Sequence, residues 1–87
     1  MSLRENEIIE RTAALPERFA DRLPETTRHH LTSARDAGEW SEVVDNLVAA
    51  LRNNHVTVST TEWEDLREIA ELMGLPTGTL DELDPRD

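Results

Sequence analysis

Between residues 40 and 51 every large apolar residue falls on one helical stripe. Trp40, Val43, Val44, Leu47, Val48 and Leu51 stand at i, i+3, i+4, i+7, i+8 and i+11, the order that lines one side of an α-helix. In a strand the same residues would scatter over both faces. The segment must therefore be a helix with one buried side, and the rest of the chain must cover that side. Glu39 and Glu42 fall in its first turn, where carboxylates favour the positive end of the helix dipole. Gly38 closes the helix before it, and Asn53-Asn54 ends it, Asn being a tolerated left-handed cap.

Three further segments supply the cover. In Arg4 to Leu23, residues Ile8, Thr12, Leu15, Phe19 and Leu23 recur at alternating spacings of four and three, with Ile9, Ala13 and Ala20 widening the face. Pro16 removes one backbone donor and crowds the carbonyl of Thr12. The segment is either one kinked helix or two short ones, and a break near Pro16, with that residue opening the second piece, is the favoured expectation. Pro24 to Ala37 reads as a helix with a thin face of Thr27, Leu31 and Ala34, His30 at its edge, closed by Gly38. His55 to Ser59 alternates like a strand but has no partner, and reads as an extended connector. Ser59 and Glu62 fit a capping box, with Val58 and Trp63 as its hydrophobic staple. The last helix, Thr60 to Met73, buries Trp63, Leu66, Ile69, Ala70 and Met73. Gly74 closes it and lets Leu75 fold back on Ala70.

These elements predict an all-α fold: a compact bundle of about four helices, the first broken or kinked at Pro16. The 87 residues suit one domain, 1–83, followed by a disordered tail over 84–87. Leu80 and Leu83 are placed to dock on the bundle. A core of this size leaves little for a walled substrate pocket.

Charge restricts the partners. Nineteen acidic residues against nine basic ones give a formal charge of −10. Phosphate backbones and anionic membranes would repel such a chain, so neither nucleic acid nor membrane is expected as a partner. A basic partner is the natural one, although an acidic surface also serves plain solubility. No apolar run approaches the ~20 residues of a membrane helix, and there is no signal-peptide core, so a cytoplasmic location is expected.

Catalytic chemistry finds no footing. There is no Cys, which removes disulfides, thiolate metal sites and Cys nucleophiles. His29 and His30 are adjacent and diverge on a helix, His55 is alone, and no His-Glu-x-x-His spacing exists. None of Ser2, Ser33, Ser41 and Ser59 lies in a Gly-x-Ser-x-Gly elbow. Gly38, Gly74 and Gly78 suit helix ends and the tail, not a phosphate loop. Neither an enzyme, a metal site nor a cofactor is expected.

The acidic rows carry more. Glu39, Glu42 and Asp45 form one row on the central helix. Glu64, Asp65 and Glu68 form a second on the last helix, where like charges at i, i+3 and i, i+4 repel. Each row is either a solvated face or a docking surface for a cationic partner. Trp40 and Trp63 both sit at helix starts on an apolar stripe, which favours core over ligand cage. A half-exposed Trp beside acidic residues would also suit an interface anchor.

The stretch from Asp21 to Leu75 resembles the MafI-type family of immunity proteins. The marks are the Leu23-Pro24 break, the Ala37-Gly38-Glu39-Trp40 turn, the Val58-Ser59 start followed by Glu62, and the Glu71-Leu72-Met73-Gly74-Leu75 ending. The resemblance implies a small, acidic helical bacterial protein, encoded beside a polymorphic toxin, that binds and neutralises a cognate toxin domain. It carries over no catalytic residue and no toxin-contact residue. The alternative is a small structural or regulatory homodimer paired through a leftover apolar helix face.

Overall fold

The computed structural model describes residues 3–86, with side chains from Glu5 onward. Four helices form the bundle: α1 (Leu3–Arg18), α2 (Glu25–Asp36), α3 (Trp40–Asn53) and α4 (Thr60–Met73), with a one-turn α5 (Gly78–Asp81) after them. No strand occurs among the described residues. The Cα radius of gyration, 12.1 Å, equals the ~12 Å expected of a compact chain of this length.

The stripe on α3 organises the core. Val43, Val44, Leu47, Val48 and Leu51 are all buried. Leu15, Phe19, Leu31, Leu66 and Ile69 close over it from α1, α2, α4 and the end of α1. Leu80 and Leu83 dock as the pattern predicts. The Trp63 indole N–H donates to the Leu80 carbonyl at 2.8 Å, which fixes α5 on the bundle. His55 to Ser59 is indeed a connector. The Arg86 N–H donates to the Val58 carbonyl at 2.8 Å, while Asp87, the end of the predicted tail, lies outside the described residues.

The favoured break at Pro16 does not occur. Helix α1 continues through Pro16 to Arg18 and then tightens into a 3₁₀ turn at Ala20–Arg22. Pro16 falls only two residues before the helix end, so little helix remains beyond the lost bond. Leu15 and Phe19 on either side of it are buried in the same core. Burying two such side chains stabilises by roughly 3–6 kcal/mol, which offsets the ~3 kcal/mol a proline costs inside a helix.

The end of α3 also differs from expectation. Asn54 has φ −98° and is not left-handed; the left-handed residue is His55, at φ 53°. Its N–H donates to the Arg52 carbonyl at 3.2 Å, and Val56 N–H donates to Leu51 at 3.0 Å. This is the Schellman pattern that Gly38 and Gly74 give to α2 and α4, with Glu39 reaching Ala34 and Leu75 reaching Ala70. Asn54 instead turns its side-chain amide to the Ala50 carbonyl at 2.8 Å.

Candidate functional site

The start of α4 is built as the spacing predicts. Glu62 N–H donates to Ser59 Oγ at 3.0 Å, and Ser59 N–H donates to Glu62 Oε1 at 2.9 Å. From that cap onward, α4 presents its acids at every third residue towards α1. Arg22 grips Glu62 at 2.6 Å, Arg18 meets Asp65 at 2.9 Å, and Arg11 meets Glu68 at 3.0 Å. Rising numbers on one helix meet falling numbers on the other, so α1 and α4 run antiparallel along an ionic seam. Arg11, Arg18 and Arg22 stand at i, i+7 and i+11, one face of α1 and its extension. That spacing was available in the sequence as the signal for the seam.

The seam separates the two acidic rows. On α4, Asp65 and Glu68 are engaged by α1, and Arg67 turns to Glu71 at 3.0 Å. Glu64 is exposed and has no ion pair among the described residues. On α3, Glu39, Glu42 and Asp45 are all exposed, and none of them pairs with a cation among the described residues. The Glu42 carboxyl shares a hydrogen bond with Glu39, and the charges of Glu39 and Asp45 act in the same sense. Together with slight desolvation they push its pKa above the ordinary carboxylate value. Repulsion along this row thus has no balancing charge among the described residues.

Trp40 does not anchor the helix mouth in the core. It is half-buried and lines a shallow groove with Ile8, Ile9 and Met73, whereas Trp63 packs on the core cluster. The stripe placed Trp40 on the buried side of α3, but at the first helical residue that side runs past the end of the core. Ile8 and Ile9, adjacent in sequence, spread the apolar face of α1 wider than α3 and α4 cover.

A cleft of about 500 Å³ lies between the end of α3 and the C-terminal segment, with Arg52, His55, Glu82, Asp84 and Arg86 on its walls. Its charges pair with one another, Arg52 with Glu82 at 2.9 Å and Arg86 with Asp84 at 2.7 Å. No buried side-chain nitrogen or oxygen among the described residues lacks a partner. No cluster of three or more His, Asp or Glu suited to a metal occurs among the described residues. His29 and His30 are exposed on α2. No helix among the described residues is long and apolar enough to cross a membrane.

In comparison with known proteins, no family model, no curated protein and no solved structure matches this chain.

Proposed function

We propose that this is an immunity protein, which binds a cognate basic toxin domain stoichiometrically and neutralises it by protein–protein contact. The observation that carries the reading is the acidic row on α3. Glu39, Glu42 and Asp45 are exposed and lack a cation among the described residues, while the comparable row on α4 is largely engaged by α1. Uncompensated repulsion of this kind is relieved when a cationic surface docks, and it speeds the encounter by steering. The resemblance in the Ala37–Trp40 turn and the Glu71–Leu75 ending supports the same class. Inhibition follows from covering a basic catalytic face or holding the toxin in an inactive shape, and no residue of this chain performs chemistry. The homodimer alternative would draw on the apolar groove beside Trp40.

The test is capture of the C-terminal domain of whatever protein the neighbouring gene encodes, followed by association rates at two salt concentrations. Replacing Glu39, Glu42 and Asp45 by Gln, Gln and Asn should slow association and flatten its salt dependence. The same treatment of Glu64, Asp65 and Glu68 should act chiefly on stability. A neighbouring domain that does not bind the parent protein at all would end the immunity reading, and concentration-dependent self-association would then favour the homodimer.

A further inference from the structure

The groove beside Trp40 has a volume of about 310 Å³ and is floored by Ile8, Ile9, Trp40 and Met73, with Glu5 and Ser41 at its rim. No cation lines it. Ser41 and Asp45 stand four residues apart on α3, hence on one face one turn apart. The rim therefore leads from Ser41 into the acidic row of Asp45 and Glu42. An open indole adds a preference of its own, because its face attracts a guanidinium or ammonium group.

We propose that this groove seats one large apolar side chain of a cationic segment of the partner protein, while flanking Arg or Lys residues of that segment reach Glu39, Glu42 and Asp45. The inference deepens the immunity reading and rests on the α3 row being a partner surface. Charge complementarity selects the occupant. A second copy of this chain would bring two uncompensated acidic rows together across a two-fold axis, where like charges oppose docking. A neutral apolar segment would fill the groove and leave the row unanswered.

Nuclear magnetic resonance of the ¹⁵N-labelled protein can read this directly, since the two indole N–H groups report separately. That of Trp63 is bonded to Leu80, and Trp40 is the one that lines the groove. Three synthetic peptides serve as probes: one of alternating Leu and Arg, one with each Leu replaced by Ser, and one with each Arg replaced by Glu. The Leu/Arg peptide should move the Trp40 signal, leave that of Trp63 in place, and bind at least about tenfold tighter than either control. Trp40→Ala should weaken it by roughly 30-fold, as loss of a central aromatic anchor does. Ile9→Gln, at the half-exposed edge of α1, should weaken it in the same direction and guards against a folding defect in the first variant. Equal binding of the Ser/Arg or the Leu/Glu peptide overturns the proposal, as does an unmoved Trp40 signal. So does a Trp40 signal that shifts with the protein's own concentration, which would mark a second copy as the occupant. Repeating the experiment with the neighbouring toxin domain separates the two readings. Binding that leaves Trp40 unmoved removes the groove and keeps the immunity function; no binding by the domain, with the peptide still seated at Trp40, does the reverse.

Discussion

Arg22 holds Glu62 at two points, Nη2 at 2.6 Å from Oε2 and Nη1 at 2.8 Å from Oε1. The same carboxylate accepts the Ser59 N–H, so one side chain both starts α4 and ties it to the turn after α1. The Arg22 hydrogen bond is the main reason that the Glu62 carboxyl is held down to about 2 from an ordinary 4.5. The Ser59 amide and the charges of Arg22 and Arg18 assist, and burial opposes them.

Because the folded pKa lies below the unfolded one, this contribution is complete above about pH 4.5 and disappears as the pH falls towards 2. Glu62→Gln should lower stability near neutrality by about 1–2 kcal/mol, through a weakened cap and a lost charge-assisted bond. It should also flatten the decline of melting temperature in that acid window. An acid profile identical to the parent's would mean that the clamp does not form in solution.

The two acidic rows should respond oppositely when neutralised. Glu42 has a raised folded pKa, so its favourable contribution exists at low pH and is lost as the pH rises through that value. Replacing Glu39, Glu42 and Asp45 should therefore leave the denaturant midpoint at neutral pH unchanged or higher. Replacing Glu64, Asp65 and Glu68 removes the pairs with Arg18 and Arg11 and should lower stability by about 1 kcal/mol. Midpoints that move together would contradict the seam.

His55→Gly should stabilise the protein by about 1 kcal/mol, because His55 occupies the left-handed conformation that a Cβ disfavours. Gly74→Ala should destabilise by roughly 1–2 kcal/mol for the same reason, although its Cβ would meet nothing within 4 Å. Thermal unfolding of the two variants checks both signs.

Leu47 is fully buried at the centre of the α3 stripe. Leu47→Ala should cost roughly 2–5 kcal/mol, and Ser59→Ala about 1 kcal/mol through the lost cap. A parent-like midpoint for Leu47→Ala would remove α3 from the centre of the core.

What could be read without the structure was whatever depends on neighbours in sequence. The α3 stripe, the capping box at Ser59 and Glu62, and the closures at Gly38 and Gly74 are local patterns with local causes. The continuity of α1 through Pro16 was not readable, since it depends on Leu15 and Phe19 reaching one core. The left-handed residue after α3 escaped because Asn54 is the better candidate by type, and its amide was drawn to Ala50 instead. Of the candidate site, the α3 row stood where the spacing put it. The engagement of Asp65 and Glu68 needed the antiparallel contact between α1 and α4. The groove needed knowledge of where the core stops covering Ile8, Ile9 and Trp40.

The ionic seam has a kinetic consequence. Its outermost contact, Arg11 with Glu68, joins residues 57 positions apart, whereas α2 and α3 meet across a short turn at Gly38. Closing the longer loop is entropically dearer, so the α2–α3 pair is expected to assemble before α1 and α4 lock together. Interactions made after the rate-limiting step act on the rate of unfolding. Arg11→Gln and Arg18→Gln should thus shorten the lifetime of the folded state while leaving its refolding rate nearly unchanged, and added salt should do the same to the parent. Stopped-flow measurements in which the refolding limb moves instead would place the seam in the folding nucleus. On this view the arginines of α1 act as a latch, governing how long the bundle stays closed more than how quickly it closes.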